Sequence, residues 1–215
     1  MNNVKLSQST AKSFFVSDVI PSKIDELKII FLLESPYIEE VKANCPLAGS
    51  SGKSVSKFLH QIDKNISHDL PFGIYIKNND DNRFAVINAL NYPMDINAYS
   101  LENQFKDFVY NPKHLDELRI KLPRNSIKNL SNEVLNTFSR SLLDLKKRLQ
   151  SVLMIDQLIV PCGKVASSFW VHLQLEYLNE VICLPHPSRN QWSQKQYAVL
   201  MNEFKIKLNK LIMRE

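Results

Sequence analysis

The sequence predicts an α/β fold, a three-layer αβα arrangement around a central, mostly parallel four-stranded sheet. Three observations carry that prediction. Four short apolar runs, 29–33, 84–90, 158–162 and 181–184, each stop at turn-forming residues and are too short for core helices. Segments with helical spacing lie between them, as in Leu130, Val134, Phe138, Leu142, Leu145 and Leu149. Strands that alternate with helices pair in parallel through right-handed crossovers. The 215 residues fit a single domain, 1–215, with no repeat or interdomain linker.

Taken in order, residues 1–27 read as helical or irregular, ending near Pro21-Ser22-Lys23. Ile29 to Leu33 is apolar throughout, the pattern of a strand buried on both faces. It ends at Glu34-Ser35-Pro36-Tyr37, because Pro36 has no N–H and restricts Ser35. The loop Pro46-Leu47-Ala48-Gly49-Ser50-Ser51-Gly52-Lys53 then opens an amphipathic helix through Val55, Phe58, Leu59 and Ile62. Its small residues allow backbone N–H groups to approach an anion closely. Residues 65–83 read as a surface turn around Pro71, Gly73 and Asn78 to Asn82.

Phe84 to Leu90 is the second strand, closed by Asn91-Tyr92-Pro93. Residues 94–125 carry little periodicity and read as a solvated connection with aromatic anchors (Phe105, Phe108, Tyr110). The alternative there is a DNA-flanking insert, since Lys106, Lys113, His114, Arg119, Lys121 and Arg124 fall in it. A core-facing helix over 130–150 comes next. Leu158 to Cys162 leads into Gly163-Lys164 and a helix from Val165 to Leu173. Val181 to Leu184 leads into Pro185-His186-Pro187-Ser188. A last helix runs from about Gln194 to Ile212.

Composition narrows the function classes. Apolar residues make up 44% and charged residues 23%, as in an ordinary soluble globular protein. A net charge of +5 permits a nucleic-acid partner without demanding one. Cys45, Cys162 and Cys183 lie far apart with no CxxC pair, so no metal or cluster is expected, and no other cofactor. They read as reduced thiols of a cytoplasmic protein. The opening MNNVKLSQSTAKSFF lacks the apolar core of a signal peptide, and no run approaches the roughly 20 apolar residues of a membrane span. A monomer without a membrane partner is the expectation.

Ligands of open parallel sheets sit beyond the carboxyl ends of the strands. The residues just past each strand are therefore the informative set: Glu34, then Asn88 to Asn91, then Gly163-Lys164, then His186-Pro187-Ser188. A carboxylate, amides, a Gly-Lys helix start and an imidazole would share one rim. Each has a plainer reading. Glu34 could pair with a lysine, His186 could be structural, Leu47 could be core, Lys164 could favour solvent and Trp192 could anchor packing. Asn88 is harder to dismiss, because a buried amide needs partners. GSSGKS is two residues too short for a P-loop.

Five segments in order resemble the uracil-DNA glycosylase superfamily over roughly residues 28–190. Leu33-Glu34-Ser35-Pro36-Tyr37 is similar to the first motif, between the GE-x-PG of the iron–sulfur branch and GQDPY. Pro46 to Gly52 resembles that branch's P-F-x-G-x-x-G loop. Val86-Ile87-Asn88-Ala89-Leu90 resembles the strand whose asparagine reads a pyrimidine. Ile159 to Ala166 resembles the strand-Gly-x-x-Ala step, and Leu184-Pro185-His186-Pro187-Ser188 the closing HPS motif. The chain departs from the pattern too. Its cysteines do not match the cluster ligands, Ser35 stands at the GQDPY aspartate position, and Leu47 replaces a base-stacking aromatic.

The resemblance implies a DNA glycosylase that flips uracil or a modified pyrimidine from DNA and leaves an abasic site, in repair or in defence against modified foreign DNA. Glu34, Asn88 and His186 would be catalytic. Tyr37, Leu47, Ser35 and Asn91 would contact the base. Gly49, Ser50, Ser51, Gly52, Lys53, Lys164 and Ser188 would hold phosphates. Arg189, Asn190, Gln191 or Trp192 would wedge into the stack. The Ser35 and Leu47 departures motivate an alternative, a non-catalytic nucleic-acid-binding module on the same scaffold. A third reading is a small-molecule nucleotide or phosphate enzyme of flavodoxin-like type.

Overall fold

The main elements are, in chain order, β1 (Ile29–Leu33), α1 (Ile38–Ala43), α2 (Ser50–His60), α3 (Phe72–Asn79), β2 (Phe84–Asn88), α4 (Ile96–Ser100), α5 (Pro112–Lys121), α6 (Asn132–Gln150), β3 (Leu158–Pro161), α7 (Lys164–Leu173), β4 (Glu180–Val181) and α8 (Ala198–Ile212). They come from a computed structural model that describes residues 12–100, 105–107, 109–124, 127–175 and 179–212. The four strands form an all-parallel sheet in the order β2-β1-β3-β4. Lys12–Ser13 pairs separately, also in parallel, with Phe105–Asp107. The expectation for residues 1–11 and the anchor roles of the Phe105 and Phe108 side chains lie outside the described part of the chain.

β1 is central, which is why every one of its residues is apolar and buried. Its side chains alternate between two cores. Ile29, Phe31 and Leu33 pack with Val55 and Leu59 of α2, Phe72 and Ile76 of α3, and Phe204 and Leu208 of α8. Ile30 and Leu32 pack with Leu115 and Leu118 of α5, Phe138 and Leu145 of α6, and Phe169 of α7. Helices therefore cover both faces.

Several expectations need correction. The supposed surface turn over 65–83 contains α3, whose Phe72, Tyr75 and Ile76 are buried, and Asp80 ends it in the left-handed region at φ 47°. The supposed solvated connection over 94–125 contains α4 and α5. Leu115, Leu118 and Leu122 recur at core spacing and are fully buried there. The fourth strand is only two residues long, extended by a single bridge between Cys162 and Leu184. Beyond that bridge Pro185 has no N–H to give. The last helix begins at Ala198, because 188–193 is kinked at Arg189 and Asn190 and 195–197 is a tighter 3-10 turn. The N-terminal stretch covers the free edge of β2, with Val19 and Val86 exchanging both backbone hydrogen bonds at 2.9 and 2.8 Å.

Candidate active site

A cavity of about 530 Å³ opens where the sheet's strands run out. Of the residues singled out from the sequence, Glu34, Ser35, Tyr37, Leu47, Gly49, Ser50, Ser51, His186, Ser188, Arg189 and Gln191 line it. Asn88, Asn91, Gly52, Lys53, Lys164, Asn190 and Trp192 do not.

Glu34 is set by the ladder continuing past the strands. Ala89 donates to the Leu33 carbonyl at 2.8 Å and Leu90 to the Glu34 carbonyl at 3.2 Å. Burial pushes the Glu34 carboxyl up to about 7, with Arg119 pulling it down and Asp95 pushing it further up. A carboxyl of that kind can accept a proton at neutral pH and hold it. Next to it, the Ser35 hydroxyl accepts from the Met94 N–H at 3.2 Å, so this side chain braces the segment after β2.

The loop before α2 is fixed by close backbone approaches. A Cβ on Gly52 would collide with the Leu47 carbonyl, and one on Gly73 with the Pro46 carbonyl. The first turns of α2 and α3 thus clasp two successive peptides, Leu47–Ala48 and Pro46–Leu47. Leu47 itself sits in the left-handed region at φ 53°, which a leucine adopts only when its surroundings hold it there. Glu40 does much of the holding. Its Oε1 accepts from Leu47 N–H at 2.5 Å and its Oε2 from Tyr37 N–H at 2.9 Å. Burial pushes Glu40 up to about 7 as well, while those two N–H groups draw it back. The sequence reading missed Glu40. The signal was its position three residues after Tyr37, where a capping-box acid belongs.

His186 faces the cavity from the far side. Its Nδ1 lies 2.8 Å from the Ser188 hydroxyl and accepts from the Ser188 backbone N–H at 3.2 Å. An acceptor at Nδ1 places the ring proton of the neutral imidazole on Nε2. Burial lowers the His186 pKa, which favours that neutral form. Gly163, at φ 93°, lets the ring sit close: a Cβ there would lie 3.1 Å from the His186 Cβ. The Gly163 N–H also donates to the Leu184 carbonyl at 2.8 Å, tying the ends of β3 and the fourth-strand segment together.

The third wall was not anticipated. Arg119 of α5 lines the cavity with Asp95, held by Asp116 at 2.8 Å and lying 3.8 Å from Asp95. In the sequence Arg119 was one cation among six, and only the burial of Leu115 and Leu118 fixes which way it faces.

The remaining candidates have other places. Asn88 is 1% exposed, and neither its Nδ2 nor its Oδ1 has a hydrogen-bond partner among the described residues. It pairs in register with Leu33, which lines the cavity. Asn91 is buried and donates to the Val16 carbonyl at 2.6 Å, a structural bond away from the cavity. Trp192 is not an exposed wedge. Its indole is buried against Phe31, Phe58 and Phe204, and its Nε1 donates to the Pro185 carbonyl at 2.8 Å. Arg189 and Asn190 are exposed and both left-handed, at φ 53° and 56°. Lys164 begins α7 beside a second cavity of about 560 Å³, which shares His186 and Gln191 with the first.

Among the described residues no group of three or more His, Cys, Asp or Glu is placed to hold a metal ion. None of their helices is long and apolar enough to cross a membrane. A scan against protein-family models and a search of curated proteins found no match to the chain.

Proposed function

We propose that the protein is a DNA glycosylase of uracil-DNA glycosylase type, hydrolysing the N-glycosidic bond of uracil or a modified pyrimidine in flipped-out DNA. The observation that carries this reading is the pairing of Glu34 and His186 in one cavity at the carboxyl end of a parallel sheet. One is an acid poised near neutrality, the other a neutral imidazole with its proton on Nε2. In this reading the bond from the sugar C1′ to the base nitrogen breaks, and its electron pair leaves with the base. The His186 Nε2–H donates to the base oxygen where that charge gathers, a kind of contact worth about 3–4 kcal/mol. Water adds to C1′ and gives its proton to the Glu34 carboxylate. Asn88 meets the pyrimidine edge with one donor and one acceptor, supported by the lack of any other partner for its amide among the described residues.

The test is mass spectrometry of bases released from DNAs containing uracil, hydroxymethylated or glycosylated pyrimidines. Release of a free base with an abasic product supports the reading, and no release from any DNA overturns it. A non-catalytic nucleic-acid-binding module remains the second reading, favoured by Asn88 not lining the cavity and by Ser35 being engaged with Met94. It expects salt-sensitive DNA binding that survives Glu34→Gln.

A further inference from the structure

We propose that Arg148 and Asp18 are positioning residues for the Asn88 carboxamide, holding the peptide that carries it in place of a neighbouring strand. The inference rests on the glycosylase reading and adds two residues that no motif contains.

β2 is the edge strand on its side, so every second residue points its N–H and C=O outward with no strand to meet them. At Val86 the N-terminal stretch supplies the partner, with Val19 making both bonds. Two residues on, the outward groups belong to Asn88, and an ion pair replaces the backbone. Asp18 Oδ1 accepts from the Asn88 N–H at 3.3 Å. Arg148 Nη1, from α6, donates to the Asn88 carbonyl at 2.9 Å, and Nη2 to the Ala89 carbonyl at 3.2 Å. The same Nη1 meets both Asp18 oxygens at 3.1 and 2.8 Å. Asp144 steadies the guanidinium through Nε at 2.9 Å, and Asn91 donates to Asp18 at 3.3 Å.

This pair is mostly buried, with side-chain exposures of 18% and 6%. Buried ion pairs are a poor way to gain stability alone, since desolvation offsets much of the attraction. Here the pair fixes both backbone hydrogen-bonding groups of one residue, Asn88. The side chain of that residue is the one whose two polar atoms are left unpaired among the described residues. Asn88 shares the sheet face of Phe84 and Val86, which is that of Leu33. With the peptide clamped, only rotation of its own side chain remains to bring the amide to a base. A misplacement of about 1 Å at such a group costs on the order of 100-fold in rate.

The experiment uses the full chain and single-turnover release from an oligonucleotide that the unaltered protein processes. Arg148→Met is made alone, with Asp18→Asn, and on an Asn88→Ala background, and each protein is also melted thermally. Arg148→Met is expected to slow release on the order of 100-fold. The charge-neutral pair Asp18→Asn/Arg148→Met regains melting temperature but not rate. On the Asn88→Ala background Arg148→Met costs less than about threefold, because the group it positions is already gone. Arg148→Lys, which keeps a donor, recovers part of the rate and serves if Arg148→Met does not fold. Rates of the charge-neutral pair within about threefold of the unaltered protein overturn the inference and leave the glycosylase reading standing. So does an equal loss with and without the Asn88 amide. If the unaltered protein releases no base from any DNA, the glycosylase reading falls and takes this inference with it.

Discussion

The carboxyl ends of β1 and β2 lie side by side in register, yet they have opposite fates. The end of β1 opens into the cavity and presents Glu34 to it. The end of β2 is closed over by the N-terminal stretch and Arg148, and Asn88, buried beside Leu33, does not line the cavity. The difference comes from what each strand has as an outer neighbour. β1 is central and needs no edge cover, so the chain after it is free to form a wall. β2 is an edge strand, and the groups that cover its edge bond to the backbone of its last residue. In the proposed reaction the open end would act through electrostatics and the closed end through placement.

Breaking the open end gives the largest effect. On the glycosylase reading, Glu34→Gln keeps shape but removes the proposed proton acceptor, and base release is expected to fall on the order of a thousandfold. The same residue sets a pH profile. With its carboxyl near 7, the active carboxylate grows as pH rises, so release climbs through about pH 7, and Glu34→Gln loses that limb. Measured rates that stay flat between about pH 5 and 9 would contradict this assignment.

Trp192→Ala attacks the support beneath the His186 loop, and a buried aromatic truncation costs about 3–5 kcal/mol, read as a lower melting temperature. Retention of the full melting temperature would mean that the indole does not anchor the loop. Glu40→Gln is milder. The amide has one acceptor for two N–H donors, so about 1–3 kcal/mol of stability is lost in denaturant titration.

Stability should also depend on pH through Glu34 and Glu40 together. Both are raised from an ordinary 4.5 to about 7, so between those values the folded state binds protons that the unfolded chain has released. Their contribution is complete below 4.5 and is lost as pH rises through about 7. Glu34→Gln combined with Glu40→Gln should flatten the melting-temperature curve over that window.

The smallest effect sharpens the comparison most. Arg119→Gln should move the rising limb of the rate profile upward in pH, and Asp95→Asn should move it downward, each changing the rate at about pH 7 within about fivefold. Shifts of the same sign would remove α5 from the site.

The sheet was legible because β1, β2 and β3 are buried on both faces and must read as unbroken apolar runs. Glu34 and His186 were legible because proline stops the chain just past each strand segment. α3 and α5 were not. Their apolar residues are diluted by Asn, Asp and Lys, so Phe72, Tyr75 and Ile76, or Leu115 and Leu118, look incidental until the sheet supplies a surface to bury them. Arg119 was hidden for that reason. Glu40 and Arg148 were hidden for another. A charged residue on a helix normally favours water, and only the paths of the loop at Leu47 and of the strand end at Asn88 turn them inward.

The clasp on the two peptides flanking Leu47 has a consequence for how this wall can diversify. With glycines pressed against it from α2 and α3, its course leaves no room for an insertion, and drift at Gly52 or Gly73 is blocked by the carbonyls they touch. The Leu47 side chain is restricted too, being fully buried in the core while it lines the cavity. Descendants of this chain can therefore alter this wall only by side chains of similar volume, over a main chain that stays where it is.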